Sequence, residues 1–255
     1  MHSDPDVTPL PPKMPLISPG ADYRRAAFLA SLVVGLVLFL IWLPNAERAA
    51  LWAALQAQWA LIAMIFFFAM LAVSLVWSAG QRLDTWVFQI FNLHGNRPRW
   101  LDRFMWLATQ LGNMVAALLA ACLFLLLNDR NLAAVIILGT LTLWLLVESI
   151  KALTNRARPF LDLEGTRILG RREPGRSFPS GHTAQTFFLV TLISHQLGLG
   201  AGTTVVLYGA AVLVGFTRMY VGAHYPRDVL GGAVLGSVWG ILATLLNLYW
   251  LTLRF

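Results

Sequence analysis

Residues 132–150 read Leu-Ala-Ala-Val-Ile-Ile-Leu-Gly-Thr-Leu-Thr-Leu-Trp-Leu-Leu-Val-Glu-Ser-Ile, and Lys151-Ala-Leu-Thr-Asn-Arg-Ala-Arg158-Pro159 follows directly. A stretch this long and apolar, charged only at Glu148, matches the roughly 20 residues that a helix needs to cross a bilayer. Comparable runs recur at about 26–43, 59–78, 106–127, 183–199, 203–217 and 229–250. The run at 203–217 is long enough if it extends to Val221 and draws Arg218 into the protein interior. Trp42, Trp59, Trp77, Trp106 and Trp250 stand near run ends, as an interfacial aromatic belt places them. The pattern predicts an all-α, polytopic transmembrane helical bundle of about seven spans.

Composition agrees. Of 255 residues, 58% are apolar and 12% charged, where a soluble domain carries about 25% charged. So few charges cannot cover a soluble surface. A disordered chain, a coiled coil and a secreted disulfide scaffold are excluded. The single cysteine, Cys122, lies in an apolar run and allows no intrachain disulfide. The net charge of +7 suits lipid phosphates or a phosphorylated substrate. Nucleic acid is disfavoured as a partner, because no soluble basic domain is available to bind it.

Six of the twelve prolines fall within residues 1–23, which read as a disordered tail rather than a short basic secretory leader. Residues 24–255 read as one integral membrane domain. Within it, 26–58 form an N-terminal helix and connection, and 59–250 form the core. Residues 79–105 mix apolar and charged positions, as an amphipathic helix in the interface does, although a polar loop reads almost as well. Residues 151–182 are polar and rich in arginine.

Three clusters carry chemistry. The first is Lys151, Arg156, Arg158 and Pro159. Arginine offers a bidentate fork to a phosphate and lysine a point charge, while Pro159 ends the helix. Snorkelling at a membrane edge explains the same residues. The second is Phe178-Pro179-Ser180-Gly181-His182. Ser180 is placed to cap a helix, Gly181 permits close backbone approach, and the first helical N–H groups form an anion site. A plain cap with an incidental histidine explains it equally. The third is Arg218, His224 and Asp228. A histidine and an aspartate four residues apart can meet on one helical face, which would fix the imidazole tautomer and free its other nitrogen for attack. Antiparallel crossings bring the end of the fourth run, the start of the fifth and the 6–7 connection to one side. All three clusters occupy those positions.

These segments resemble the signature of the type 2 phosphatidic acid phosphatase (PAP2) superfamily: Lys, six residues, Arg-Pro; then Pro-Ser-Gly-His; then Ser-Arg, five residues, His, three residues, Asp. Every spacing matches, and the one departure is Thr217 in place of serine. Thr109-Gln-Leu-Gly112 looks like the start of the family's second helix. The resemblance covers about residues 60–250. It implies a six-span core, here with an extra N-terminal helix. It also implies a membrane lipid phosphatase that needs no metal or other cofactor and works through a phosphohistidine. His224 would attack phosphorus, Asp228 would orient it, and His182 would protonate the leaving oxygen. Lys151, Arg158, Arg218, Ser180 and Gly181 would hold the phosphate. The partners implied are a lipid phosphate substrate and the surrounding membrane lipids. Phosphatidate, phosphatidylglycerol phosphate, isoprenyl diphosphate and lipid A phosphate all fit. A lipid phosphotransferase using the same intermediate, or a non-catalytic lipid-binding protein, remains open on the residues alone.

Outside the clusters, Glu148 is expected to pair with Lys151, and His195 to lie in the core. Arg171, Arg172 and Arg176 read as a solvated loop or a lure for anionic head groups, and His94 as exposed. The family implies a bacterial inner membrane with the site on the exoplasmic, periplasmic side. The basic residues run against that orientation. With seven spans, only Arg48, Arg130 and Arg254 of the nineteen would face inward, opposite to the usual cytoplasmic bias.

Overall fold

The computed structural model describes residues 58–92 and 97–252, with side chains to residue 245, and six separate positions between 34 and 45. The Pro-rich segment, most of the first apolar run, His94 and the Trp250 side chain lie outside the described residues. Contacts divide the chain into units 1–57 and 58–255. In the first, Val34, Leu38, Ile41, Trp42 and Asn45 are helical and exposed.

In the second unit the described residues form helices and no strands. In chain order these are α1 (Trp59–Ser74), α2 (Ser78–Phe91), α3 (Arg99–Thr109), a 3₁₀ turn (Gln110–Gly112), α4 (Met114–Leu126), α5 (Arg130–Thr154), α6 (Pro159–Asp162), α7 (Gly181–Gln196), α8 (Ala201–Tyr220) and α9 (Pro226–Thr252). Local chemistry sets several boundaries. The side chains of Asn113 and Asp129 accept from the backbone N–H three residues ahead and start α4 and α5. Asn155 adopts the left-handed conformation (φ 50°) that closes α5. Pro159 and Pro226 open α6 and α9, where a missing N–H costs nothing.

The apolar runs are helical, but not all are single straight helices. The 106–127 run is broken at Asn113, whose extended backbone and capping side chain force a bend of 59° between α3 and α4. The 59–78 run ends early, because α1 and α2 meet at 96°. Residues 79–91 and 99–105 are thus helical, and α2 buries Asp84 and Phe88. Among the described residues three helical segments are long and apolar enough to cross a membrane, or up to five if each bent pair is one span. They are Arg130–Asp162, Ala201–Tyr220 and Pro226–Leu245. Helix α7 has 16 residues, about 24 Å, short of a hydrocarbon core of about 30 Å.

Helix α7 is the centre of the bundle. It packs along α9 and also touches α8, α5 and the 3₁₀ turn, while α4 covers α5 and α1 covers α9. Its residues are buried on all sides, as an enclosed helix requires. Phe188 and Leu192 meet Ile136, Leu143, Ala121 and Leu235 in the main core.

The α7–α9 contact depends on glycine at every fourth position of α9. A Cβ on Gly232 would stand 2.5 Å from the Ser180 carbonyl oxygen, and one on Gly236 would stand 2.1 Å from that of Ala184. A Cβ on Gly240 would meet the Thr191 Cβ at 2.7 Å. Lipid tails are as apolar as leucine, so helices associate in a bilayer through such close approach. Gly236→Ala is expected to destabilise the fold by about 1–3 kcal/mol, since backbone rather than a flexible side chain must yield. Gly209→Ala, with nothing within 4 Å, should leave the thermal midpoint in detergent unchanged or slightly raised. Equal midpoints for the two variants would refute the close-packing account.

Candidate active site

The three sequence clusters meet at one end of the bundle, around a cavity of about 280 Å³ whose lining includes Lys151, Arg158, Glu173, Gly181, His182 and His224. Lys151 comes from the last turn of α5. Arg158 precedes α6, Gly181 and His182 begin α7, and His224 lies in the turn between α8 and α9. Arg218 lies in the last turn of α8 and is buried, so α8 does reach Tyr220 and carries this arginine inside.

Arg158 is enclosed by acceptors. Its Nη1 donates to Glu173 Oε2 at 3.0 Å, to the Ala223 carbonyl at 3.2 Å and to His224 Nε2 at 3.2 Å. Its other nitrogens donate to the carbonyls of Pro174 and Gly175, both at 3.3 Å. Arg218 donates to the Thr109 hydroxyl at 2.8 Å and to Glu173 Oε1. Lys151 pairs with Glu148 at 2.8 Å, as its spacing suggested.

The His224 ring is fixed by a carbonyl. Its Nδ1 lies 2.8 Å from the Ser177 carbonyl oxygen, which can only accept, so Nδ1 carries the proton. Nε2 then keeps its lone pair, which accepts from Arg158, and the residue lines the cavity. Burial, followed by the charges of Arg158 and Arg218, pushes the imidazole well below its ordinary pKa and holds it neutral.

Asp228 is placed differently from the helical-face reading. His224 precedes α9 rather than sharing it, and the carboxylate stands 3.8 Å from Nδ1 without a hydrogen bond. It accepts instead from Arg156 at 2.7 Å, from the Tyr225 N–H at 2.8 Å and from the Ser177 hydroxyl. Ser177 is therefore the link: its hydroxyl binds Asp228 and its carbonyl holds His224. Arg156, grouped with the phosphate-binding cations by sequence, turns away from the cavity. It bridges Asp228 to Asp84 and stacks on Tyr225 with its guanidinium 4.3 Å from the ring centre.

Ser180 occupies the cap position of α7, but its side chain makes no capping bond and accepts from the Thr183 hydroxyl at 2.9 Å. The first bond of α7 runs from the Ala184 N–H to the Ser180 carbonyl, so the N–H groups of residues 181–183 precede the helical ladder. His182 borders the cavity beside Gly112, where a Cβ would stand 2.8 Å from the His182 Cβ. His195 is exposed near the far end of α7 rather than packed in the core, and Arg171 and Arg172 are exposed.

Four contributors were not singled out as site residues from sequence. Thr109 and Gly112 belong to the Thr-Gln-Leu-Gly segment, which did carry a signal. Ser177 and Glu173 carried none. Glu173 lies between two arginines, with its carboxylate 4.0 Å from both His182 Nδ1 and His224 Nε2. Burial alone would raise its pKa. The charges of Arg218 and Arg158 outweigh that and hold it well below the usual carboxylate range.

Residues 130–251 match the family described as the PAP2 superfamily. A curated relative, the undecaprenyl-diphosphatase of Sulfolobus acidocaldarius, is 30% identical over 119 residues. That match covers 46% of this chain and 56% of the relative, so the chain spans little more than half of that protein's length. The crystal structure of a transmembrane PAP2 type phosphatidylglycerolphosphate phosphatase from Bacillus subtilis superposes with a TM-score of 0.63 at 26% identity, covering 74% of this chain and 96% of that one. The structure of Aquifex aeolicus LpxE gives 0.52 at 32% identity, covering 62% and 92%.

Proposed function

The chain belongs to the PAP2 superfamily, and from that premise we propose that it is a membrane-embedded lipid phosphatase. It removes a terminal phosphate from a lipid phosphomonoester or diphosphate at the exoplasmic face of a bacterial inner membrane. The observation that carries this reading is the neutral His224 ring, whose unprotonated Nε2 accepts from Arg158 at the edge of a cavity bordered by Lys151, Arg158, Gly181 and His182. Met114, Leu143, Trp144 and Val147 line the same cavity and offer the chain of an amphiphile an apolar wall.

Nε2 of His224 attacks phosphorus in line, the bond from phosphorus to the lipid oxygen breaks, and His182 gives that oxygen its proton. Water then attacks the phosphohistidine. His182 takes the water's proton, the Nε2–phosphorus bond breaks and inorganic phosphate leaves. Lys151, Arg158, Arg218 and the first N–H groups of α7, with the Ser180 hydroxyl behind them, stabilise the charge that develops on the phosphoryl oxygens. Asp228 acts through Ser177 to keep the His224 proton on Nδ1. These cations supply positive charge without a metal. The test is phosphate release from phosphatidate, phosphatidylglycerol phosphate, an isoprenyl diphosphate and lipid A in detergent with EDTA and no added acceptor. Release from at least one is expected. No release from any, or release only with an added acceptor lipid, would overturn hydrolysis, and dependence on added Mg²⁺ would overturn the metal-free route.

A further inference from the structure

Glu173 stands where the mechanism needs a phosphate. Its carboxylate bridges Arg158 and Arg218 and lies equally close to His224 and His182. It comes from the connection between α6 and α7 rather than from a helix. That connection is anchored on both sides of the glutamate. Asn92 clasps the Arg167 backbone at 2.9 and 2.8 Å, and the Leu169 N–H donates to the Val221 carbonyl. Beyond the glutamate, the Ser177 N–H donates to the Arg156 carbonyl. Between the anchors, Gly170 (φ 86°) and Gly175 (φ 87°) take conformations that other residues avoid, one on each side of Glu173. Arg158 also holds the Pro174 and Gly175 carbonyls, both at 3.3 Å, so the carboxylate swings aside either by turning its own side chain or by loosening those two long bonds, with α7 and the His224 turn left in place.

Charge decides what can displace it. A terminal phosphate brings two negative charges to Lys151, Arg158 and Arg218, where the carboxylate brings one. A phosphodiester headgroup also brings one, and it must compete with a group that is tethered in place and so present at high effective concentration. A bilayer surrounds such a site with phosphodiester headgroups.

Building on the phosphatase reading, we propose that Glu173 is an intramolecular competitor for the phosphate site. It weakens every anion's binding alike, so that scarce dianionic phosphates still bind while the bulk phosphodiesters of the membrane leave the site free. The carboxylate stays ionised at physiological pH, because its arginine partners hold it so.

The test uses the full-length protein in detergent, with inorganic phosphate and dimethyl phosphate as probes in calorimetry. Glu173→Gln keeps the side-chain shape and removes the charge. Glu173→Asp draws the carboxylate back by one methylene. Competition predicts that Glu173→Gln tightens both probes by about tenfold, the usual size of such a coupling, and Glu173→Asp by less. It also predicts that rising phosphatidylglycerol in the mixed micelles inhibits Glu173→Gln turnover but not wild-type turnover. If Glu173 instead only props up the two arginines, both variants bind both probes more weakly, and unchanged or weakened binding would overturn the proposal. Failure of wild type and both variants alike to bind inorganic phosphate would overturn the phosphatase reading itself.

Discussion

Turnover of lipid phosphate is expected to fall by about four orders of magnitude or more when His224 is replaced by glutamine, with the fold and the phosphate site intact. The size follows from the role. Removing a nucleophile from a cooperating set costs nearly as much as removing the whole set. Glutamine is the informative choice because the ring sits in a buried turn. Its amide N–H can still donate to the Ser177 carbonyl, so the α8–α9 connection keeps its anchor, and less volume is lost than with alanine. Lys151, Arg158 and Arg218 are untouched, so inorganic phosphate should bind within a fewfold of the wild-type affinity. Acid-labile, base-stable phosphoprotein, trapped by rapid quenching of the wild type, should be absent from the variant. Turnover within tenfold of wild type would remove His224 from the nucleophile's role and require a mechanism without a phosphohistidine.

Different physical constraints made some features legible in the sequence and hid others. The apolar runs were readable because lipid demands contiguous apolar residues along a span. The breaks within them were not. Asn113 within 106–127 reads as one polar residue in an apolar run, and only its capping bond to Ala116 and its extended backbone turn it into a corner. The signature residues were readable because phosphate chemistry needs particular side chains at particular spacings. Glu173 was not, because an acid among Arg171, Arg172 and Arg176 looks like a solvated, self-neutralising loop. Only the folded chain carries it past those neighbours to Arg158 and Arg218, the latter from a different helix. Asp84 was hidden for a related reason. It lies in the amphipathic stretch 79–105, where an interfacial helix is expected to point its charges at water. The 96° bend before α2 turns that residue inward, where it binds Arg156 and Arg227.

Asp228→Ala is expected to cost about 3–5 kcal/mol of stability, because it removes one of the two carboxylates paired with a buried guanidinium and leaves the Tyr225 N–H and the Ser177 hydroxyl without their acceptor. Asp228 is completely enclosed and accepts from Arg156, Ser177 and the Tyr225 N–H. Arg156 would be left with Asp84 and Gln81, and Asp84 is already shared with Arg227. The loss of activity in this variant has two possible origins, unfolding and a misplaced imidazole, and a double variant separates them. Asp228→Leu combined with Arg156→Met replaces the ion pair with apolar groups of similar size, a change that is often close to neutral. Asp84 keeps Arg227, and Ser177 keeps its backbone bond to residue 156. Stability should therefore return by at least half of the loss, as read from the thermal midpoint in detergent. Activity should not return, since the Ser177 hydroxyl loses its acceptor and the His224 ring loses the indirect hold of a carboxylate. The deficit should fall on kcat, with inorganic phosphate binding unchanged, because neither replaced side chain lines the cavity. A double variant that regains activity would make Asp228 a purely structural residue. One less stable than Asp228→Ala would show that the buried charges stabilise the fold by more than their mutual pairing.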